Sequence, residues 1–513
     1  MHIFAYLVLV IYTLALTYIT VYCLFQFNLL YFYKKGHQHP FEEKKKQYNT
    51  GKQLVAAGMD TDDTKTELAP FVTIQLPIFN EMYVVERLID NITQFDYPKD
   101  RFEIQVLDDS TDQTVEISRA KVEEYQAKGF QISLLHRTDR KGYKAGALKE
   151  ATKVAKGEFI AIFDADFLPK PDFLNQTIPY FDNPEVGVVQ TRWEHINEDY
   201  SLITKLQALQ LNVHFRVEQS GRMFGKQMLQ FNGTAGVWRK KAIEDAGGWE
   251  ADTLTEDLDL SIRAQLKGWK IRFLEQIGSP AELPIEMNSL KSQQFRWMKG
   301  GAETARKMLP TIWKSDLNFK HKIYSTIHLL ASSIFLFVFV AGVFSVPLLF
   351  SLGELFNVGF DKNFFGYFLV GLLSVIIIYY VANVQAELQP GESPIGKMLK
   401  FVLLFPLFLS LSMGLSLHNS IAVLQGFRGK RSPFIRTPKF NIKSINDSIS
   451  SKNYLSKKIS WTTIFEGVLA LYFLFAVIGA IYLKNTTFIV FHLMLFIGYA
   501  GIFYYTLKVP RVR

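Results

Sequence analysis

Phe159-Ile160-Ala161-Ile162-Phe163-Asp164-Ala165-Asp166-Phe167 is an apolar run that ends abruptly on two carboxylates. It is too short for a buried helix and rich in β-branched and aromatic residues, so it reads as a central strand over 158–163. Asp164 and Asp166 then sit at its carboxyl end. At strand spacing they point the same way and form a two-carboxylate claw for a divalent ion, with a solvated Asp pair in a turn as the plainer alternative.

Working outward, similar runs occur at 71–76, 102–107, 131–135 and 186–190. Amphipathic stretches at 84–93, 115–128 and 145–155 lie between them. The β-α-β-α order predicts an α/β unit over 70–310, a mostly parallel sheet with helices on both faces. Ligands of such sheets bind outside the carboxyl ends of the strands. The polar clusters fall there. The first strand ends in Asn80 and Glu81, suited to a nucleobase or ribose, or to starting a helix with Asn80 as cap. The second ends in Asp108-Asp109-Ser110, whose adjacent carboxylates repel unless a partner is present. Lys141 and Lys144 flank Gly142 in a turn that could meet a diphosphate.

Thr255-Glu256-Asp257 opens an amphipathic helix, whose N-terminus stabilises an ionised Asp as a base requires. A Thr255 cap with acids in the first turn would look the same. Gln293, Arg296 and Trp297 lie at i, i+3 and i+4, one face of a helix. Arg can fork onto a phosphate and Trp can stack on a sugar ring.

Beyond this unit the chain turns apolar. Residues 3–33 carry no charge and are long enough to cross a bilayer. Lys34, Lys35 and Lys44 to Lys46 follow, which places the next segment in the cytoplasm. Residues 34–69 read as a tether. Further apolar runs occupy 323–352, 364–382, 400–425, 462–483 and 488–507, within a C-terminal membrane region of 311–513. Six spans would leave the basic loop 428–443 and the tail outside, against the positive-inside rule. Making 400–425 interfacial or re-entrant returns both to the cytoplasm, so five spans and one irregular segment are expected. The net charge of +9 is explained by these flanks, and no groove-reading motif points to nucleic acid. The single cysteine, Cys23, allows no intrachain disulfide and no cysteine zinc site. Neither G-x-x-x-x-G-K-[ST] nor G-x-G-x-x-G follows the first strand, which sets aside an ATPase or a dehydrogenase.

Each cluster is ordinary alone. In order, Asp-Asp, Asp-x-Asp, Thr-Glu-Asp and Gln-x-x-Arg-Trp ahead of membrane helices resemble the processive family-2 glycosyltransferases, such as cellulose, mannan, chitin and hyaluronan synthases. The strings 106–112 (VLDDSTD), 159–167 (FIAIFDADF), 231–238 (FNGTAGVW) and 292–297 (SQQFRW) look like the cellulose-synthase-like mannan and glucan synthases. So do 190–193 (QTRW) and 282–284 (ELP). The resemblance covers about 71 to 310.

It implies a GT-A fold. Asp108 and Asp109 would hold the nucleotide, with Asn80, Glu81 and Lys144 assisting. Asp166, with Asp164, would bind Mg²⁺ or Mn²⁺ on the diphosphate of a UDP- or GDP-hexose. Asp257 would be the catalytic base. Gln293, Arg296 and Trp297, with Glu256 alongside, would hold acceptor and diphosphate. Phe231, Asn232, Gly233 and Thr234 would line the acceptor end. The expected protein is a multi-pass membrane enzyme with a cytoplasmic catalytic domain. It would transfer hexose, glucose or mannose, with inversion onto a growing β-linked glycan; in a rival reading it makes a single transfer to a ceramide-like lipid. A non-catalytic nucleotide-sugar sensor is a second rival, and an export partner is left open. Cyclic-di-GMP regulation is not carried over, because no matching domain follows the last apolar run and Thr234 or its neighbours replace the cysteine of the regulated enzymes.

Overall fold

The computed structural model describes residues 2–38, 69–387, 393–442 and 460–508. Most of the expected tether, Lys44 to Lys46 and the last basic residues lie outside them. Helix α1 (His2–His37) precedes the α/β unit. There β1 (Val72–Ile78) leads to α2 (Val85–Ile92), β2 (Phe102–Asp108) to α3 (Thr114–Ala127), and β3 (Ile132–His136) to α4 (Tyr143–Val154). Then come β4 (Phe159–Ile162), β5 (Val186–His195), α5 (Leu202–Asn212), β6 (Gly236–Arg239), α6 (Glu256–Leu266), β7 (Lys270–Ala281) and α7 (Met287–Lys314).

The seven strands form one sheet in the order β3-β2-β1-β4-β6-β5-β7, parallel except at β6, which runs against both neighbours. Alternation along β4 shows how the sheet is covered. Phe159, Ala161 and Phe163 pack with α2, while Ile160 and Ile162 pack with α4 and α6. Period-two side chains and helices on both faces therefore match the expected layers. Strands β6 and β7 were not foreseen. The first is very short, and the second carries charges and meets β5 through a register shift at Thr191/Arg192, so neither shows a clean alternation.

Among the described residues, six helical stretches are long and apolar enough to cross a membrane: Ile3–His37, Ala331–Asn357, Phe364–Gln385, Pro394–Gly414, Trp461–Tyr482 and Ile489–Leu507. The helices involved beyond α1 are α8 (Ile334–Asn357), α9 (Leu369–Tyr380), α10 (Pro394–Gly414), α12 (Trp461–Tyr482) and α13 (Ile489–Leu507), with α11 (Ser416–Phe427) before α12. Their packing separates them. α8 starts beside the domain and ends against Ala5 and Val8 at the far end of α1. α9 returns, and the backbone after it accepts a 2.8 Å hydrogen bond from Arg216 at Ala386. α12 leaves from Glu466, paired with Lys291, and α13 comes back to Ile502 beside Met287 and Leu290.

Helix α10 behaves differently. Lys400 near its start lies 3.4 Å from Glu198, and Leu415 just past its end packs with Ile203, Met287 and Leu290. Both ends touch the α/β unit, so α10 lies along it, and α11 runs back over α7, where Gly426 approaches the Lys299 carbonyl. This packing brings the basic loop after α11 and Lys508 to the domain side. Helix α7 runs unbroken through Pro310 to Lys314, so the unit and the membrane region share it.

Candidate functional site

The carboxyl ends of β1, β2, β4 and β5 open into a cavity of about 210 Å³. Glu81, Asp109, Lys144, Asp164, Asp166, Asn232, Gly233, Glu256, Asp257, Gln293, Arg296 and Trp297 all line it, so residues spread over more than 200 positions meet in one place. Four expected members stand behind the wall. Asn80 has φ 53° and uses its carboxamide oxygen to accept the Thr111 N–H at 2.8 Å, tying the first loop to the second. Asp108 is fully buried and accepts the Ser110 N–H at 2.8 Å, shaping the turn that presents Asp109. Phe231 packs edge-on against Trp238, and the Thr234 hydroxyl accepts the Asp164 N–H at 2.8 Å. These four support the site and do not line it.

Asp164 and Asp166 do not sit at strand spacing. Strand β4 stops at Ile162, because the next residues turn to reach different partners. Lys144 Nζ donates to Asp164 at 2.6 Å and to the Gly233 carbonyl at 2.9 Å. Lys439 Nζ donates to Asp166 at 2.6 Å and to the Glu282 carbonyl at 2.7 Å. Both carboxylates thus lie where a cation is held. Their oxygen-only donor set suits a hard dication such as Mg²⁺ or Mn²⁺. Burial works against the Lys144 charge, but Asp164, Glu256 and Asp257 outweigh it and leave its pKa raised.

Asp257 sits in the first turn of α6, where it accepts the Leu258 N–H at 2.9 Å. Thr255 does not cap this helix with its side chain; its hydroxyl meets Thr304 at 3.1 Å instead. Burial, and then the neighbouring Glu256, push the Asp257 carboxyl up to about 7. Glu81 is pushed up to about 8 by burial, against the pull of Arg436 at 3.3 Å. Asp109 is clamped by Arg137, with Nε at 2.8 Å and Nη2 at 2.5 Å from its two oxygens.

The far wall was not anticipated. Phe434, Arg436, Thr437 and Lys439, from the loop after α11, line the cavity across from the sheet. Arg296 donates to Thr437 Oγ1 at 2.9 Å and to the Ile435 carbonyl, and lies over the Phe434 ring at 4.8 Å. Glu282 accepts the Phe440 N–H at 2.9 Å and the Ile442 N–H at 3.3 Å. Membrane topology is a sufficient account of the positive charge of 428–443 in the sequence, which hides the second role of Arg436 and Lys439. Arg140, Trp193 and His195 also line the cavity and carried no motif.

The arrangement can hold a polyanion among Lys144, Arg296 and Arg436, and it places two carboxyls of raised pKa, Asp257 and Glu81, beside it. Residues 69–300 match the family model described as glycosyltransferase like family 2. The chain is 44% identical over 276 residues to glucomannan 4-beta-mannosyltransferase 1 of Oryza sativa subsp. japonica, covering 53% of this chain and 52% of that protein. The chain therefore spans about half the length of that relative in the match. Among solved structures, a mannosyltransferase from Pyrobaculum calidifontis in complex with GDP-Man and Mn²⁺ is 20% identical, with a TM-score of 0.47, covering 73% of this chain and 100% of that one. S. aureus TarS 1–349 in complex with UDP is 17% identical, with a TM-score of 0.36, covering 70% and 89%.

Proposed function

We propose that residues 69–300, which match the glycosyltransferase like family 2 model, form the catalytic domain of a membrane-bound inverting hexosyltransferase extending a β-linked glycan. The single observation that carries this reading is the gathering of Asp257, the Asp164/Asp166 turn and the Gln293-Arg296-Trp297 face around one cavity. The donor is a UDP- or GDP-hexose. The rice relative named as a mannosyltransferase favours mannose over glucose.

A nucleotide sugar is α-linked, and one in-line attack by an acceptor hydroxyl gives a β-link. Asp257 accepts the hydroxyl proton as the new bond forms; a carboxyl titrating near 7 is matched to that task. The leaving diphosphate gains negative charge, and Lys144 and Arg296 are the cations placed to oppose it. Asp164 and Asp166 would hold Mg²⁺ or Mn²⁺, which when bound neutralises part of that charge. Trp297 offers an aromatic face to a sugar ring. Lys34 and Lys35 close the domain end of α1, which supports a cytoplasmic catalytic domain.

The test is transfer by the purified protein in lipid nanodiscs, with Mg²⁺ or Mn²⁺ and a panel of labelled UDP- and GDP-sugars. A long β-linked product from one donor is expected. A single hexose placed on added lipid would replace chain extension with glycolipid synthesis. Failure to bind any nucleotide sugar would remove the enzymatic reading.

A further inference from the structure

Helix α7 carries a stripe that continues past the cavity. Gln293, Arg296 and Trp297 line the cavity, and the same face goes on through Gly300, Glu303 and Lys307 at three- and four-residue steps. This second half grips the segment on either side of Asp257. Gly300 lets the helix come so close that a Cβ there would lie 2.6 Å from Thr255 Cγ2 and 2.9 Å from the Thr255 backbone nitrogen. Glu303 accepts the Leu254 N–H at 2.8 Å.

Lys307 ends the stripe. Its ammonium lies 2.6 Å from Glu250, 2.9 Å from Asp252 and 3.0 Å from Asp259. The three carboxylates approach within 4.8 Å of one another, a distance at which unshielded charges repel. Such a cluster resembles a cation cage, and here the cation is the ammonium itself. Asp259 is fully buried and lies two residues beyond Asp257 on α6, with Arg263 at 2.8 Å on its other side. Burial works against the Lys307 charge, but its three acidic partners outweigh it and keep its pKa raised.

We propose that Lys307 is a positioning residue for the transfer reaction: by bridging Glu250, Asp252 and Asp259 it locks the Asp257 helix to α7, so that the base and the Gln293-Arg296-Trp297 face hold one fixed geometry. Lys307 does not line the cavity and touches no substrate. Its effect passes through the separation of two groups that do. A misplacement of about 1 Å remote from the chemistry can cost on the order of 100-fold in rate without altering what binds. The inference rests on the reading of Asp257 as base.

The experiment compares Lys307→Met, Lys307→Arg and Asp252→Asn in the full chain in nanodiscs, with Asp257→Asn alongside. Nucleoside diphosphate binding is measured by calorimetry, and kcat and donor KM by transfer. In Lys307→Met, kcat is expected to fall roughly 10- to 100-fold, with diphosphate affinity and donor KM within about twofold of the unmodified protein. Lys307→Arg should recover most of kcat, because it restores the positive charge. Asp252→Asn, at an exposed position, should give a smaller loss of the same kind even where Lys307→Met folds poorly. Unchanged kcat in both Lys307→Met and Asp252→Asn overturns the proposal. So does a loss of kcat that only tracks the loss of diphosphate-binding sites, since that is the mark of a merely structural tie. Full transfer by Asp257→Asn would instead overturn the base on which the proposal rests.

Discussion

Lys439 and Asp166 lie 273 residues apart in the chain, yet the lysine ammonium donates to the aspartate at 2.6 Å. The contact closes the cavity from the side opposite the sheet. It also puts a protein cation on one of the two carboxylates suited to a metal ion. Glu282 fastens the same loop through the Phe440 and Ile442 backbone, so the ammonium is delivered by a held segment.

Ammonium and metal would compete for Asp166. Replacing Lys439 by Met removes the competitor, and the half-saturating concentration of Mg²⁺ or Mn²⁺ for donor binding is expected to drop several-fold. The loop would also lose one of its anchors, so kcat should fall while metal affinity rises. A metal titration followed by donor binding checks this, and unchanged metal dependence would separate Asp166 from the ion.

Asp257→Asn keeps the shape of the side chain and removes the base. Transfer should drop by roughly 10²–10⁴-fold, while nucleoside diphosphate binding persists. In the unmodified protein the carboxyl titrates near 7 because burial and Glu256 disfavour its charge. A base works only when ionised, so kcat should rise about tenfold per pH unit below 7 and level off above about 8. A kcat that is flat between pH 5 and 8 would assign the proton to another group.

The sheet edge of the site was legible because strands and their terminal carboxylates are close in sequence. Asp109, Asp164, Asp166 and Asp257 each follow from a local pattern. Asn80, Asp108, Phe231 and Thr234 belong to the same strings but turn inward, and a motif does not tell lining from support. Asp108 and Asp109 are adjacent, and only the turn held by Ser110 decides which one faces the cavity. Arg436 and Lys439 were illegible for another reason. They reach the site through the packing of α10 and α11 on the catalytic unit, and their charge had a sufficient explanation in topology. The ambiguity at 400–425 was visible in the sequence as a conflict of parity. Its physical origin is that α10 is apolar enough to span yet has both ends on the domain.

Gly233 occupies φ 79°, and a Cβ there would stand 3.0 Å from Asp257 Oδ2. Both the backbone angle and the space favour glycine. Gly233→Ala should therefore displace the base or the Lys144 contact to the Gly233 carbonyl. A loss of kcat of about 10-fold or more is expected, larger than any change in fold stability. Thermal unfolding alongside kinetics separates the two effects.

The pair Lys291–Glu466 joins α7 to α12, with the ammonium 2.8 Å from the carboxylate and both side chains almost wholly buried. The His418 Nε2–H donates to the Lys291 carbonyl at 2.9 Å, so a third helix segment meets there. Taking two charges out of water is costly, and the attraction between them offsets that cost only while both are present. Glu466→Leu alone leaves Lys291 buried without a counter-charge and should lower stability by about 3–5 kcal/mol. Lys291→Met combined with Glu466→Leu removes both charges and should recover most of that loss. Because α7 also carries Arg296 and Trp297, the single variant should lose transfer activity at temperatures where the double variant retains it. Unfolding of the four proteins of this cycle in the same nanodiscs measures the coupling; equal stabilities for the single and double variants would mean that packing, and not the charge pair, holds α12 to the domain.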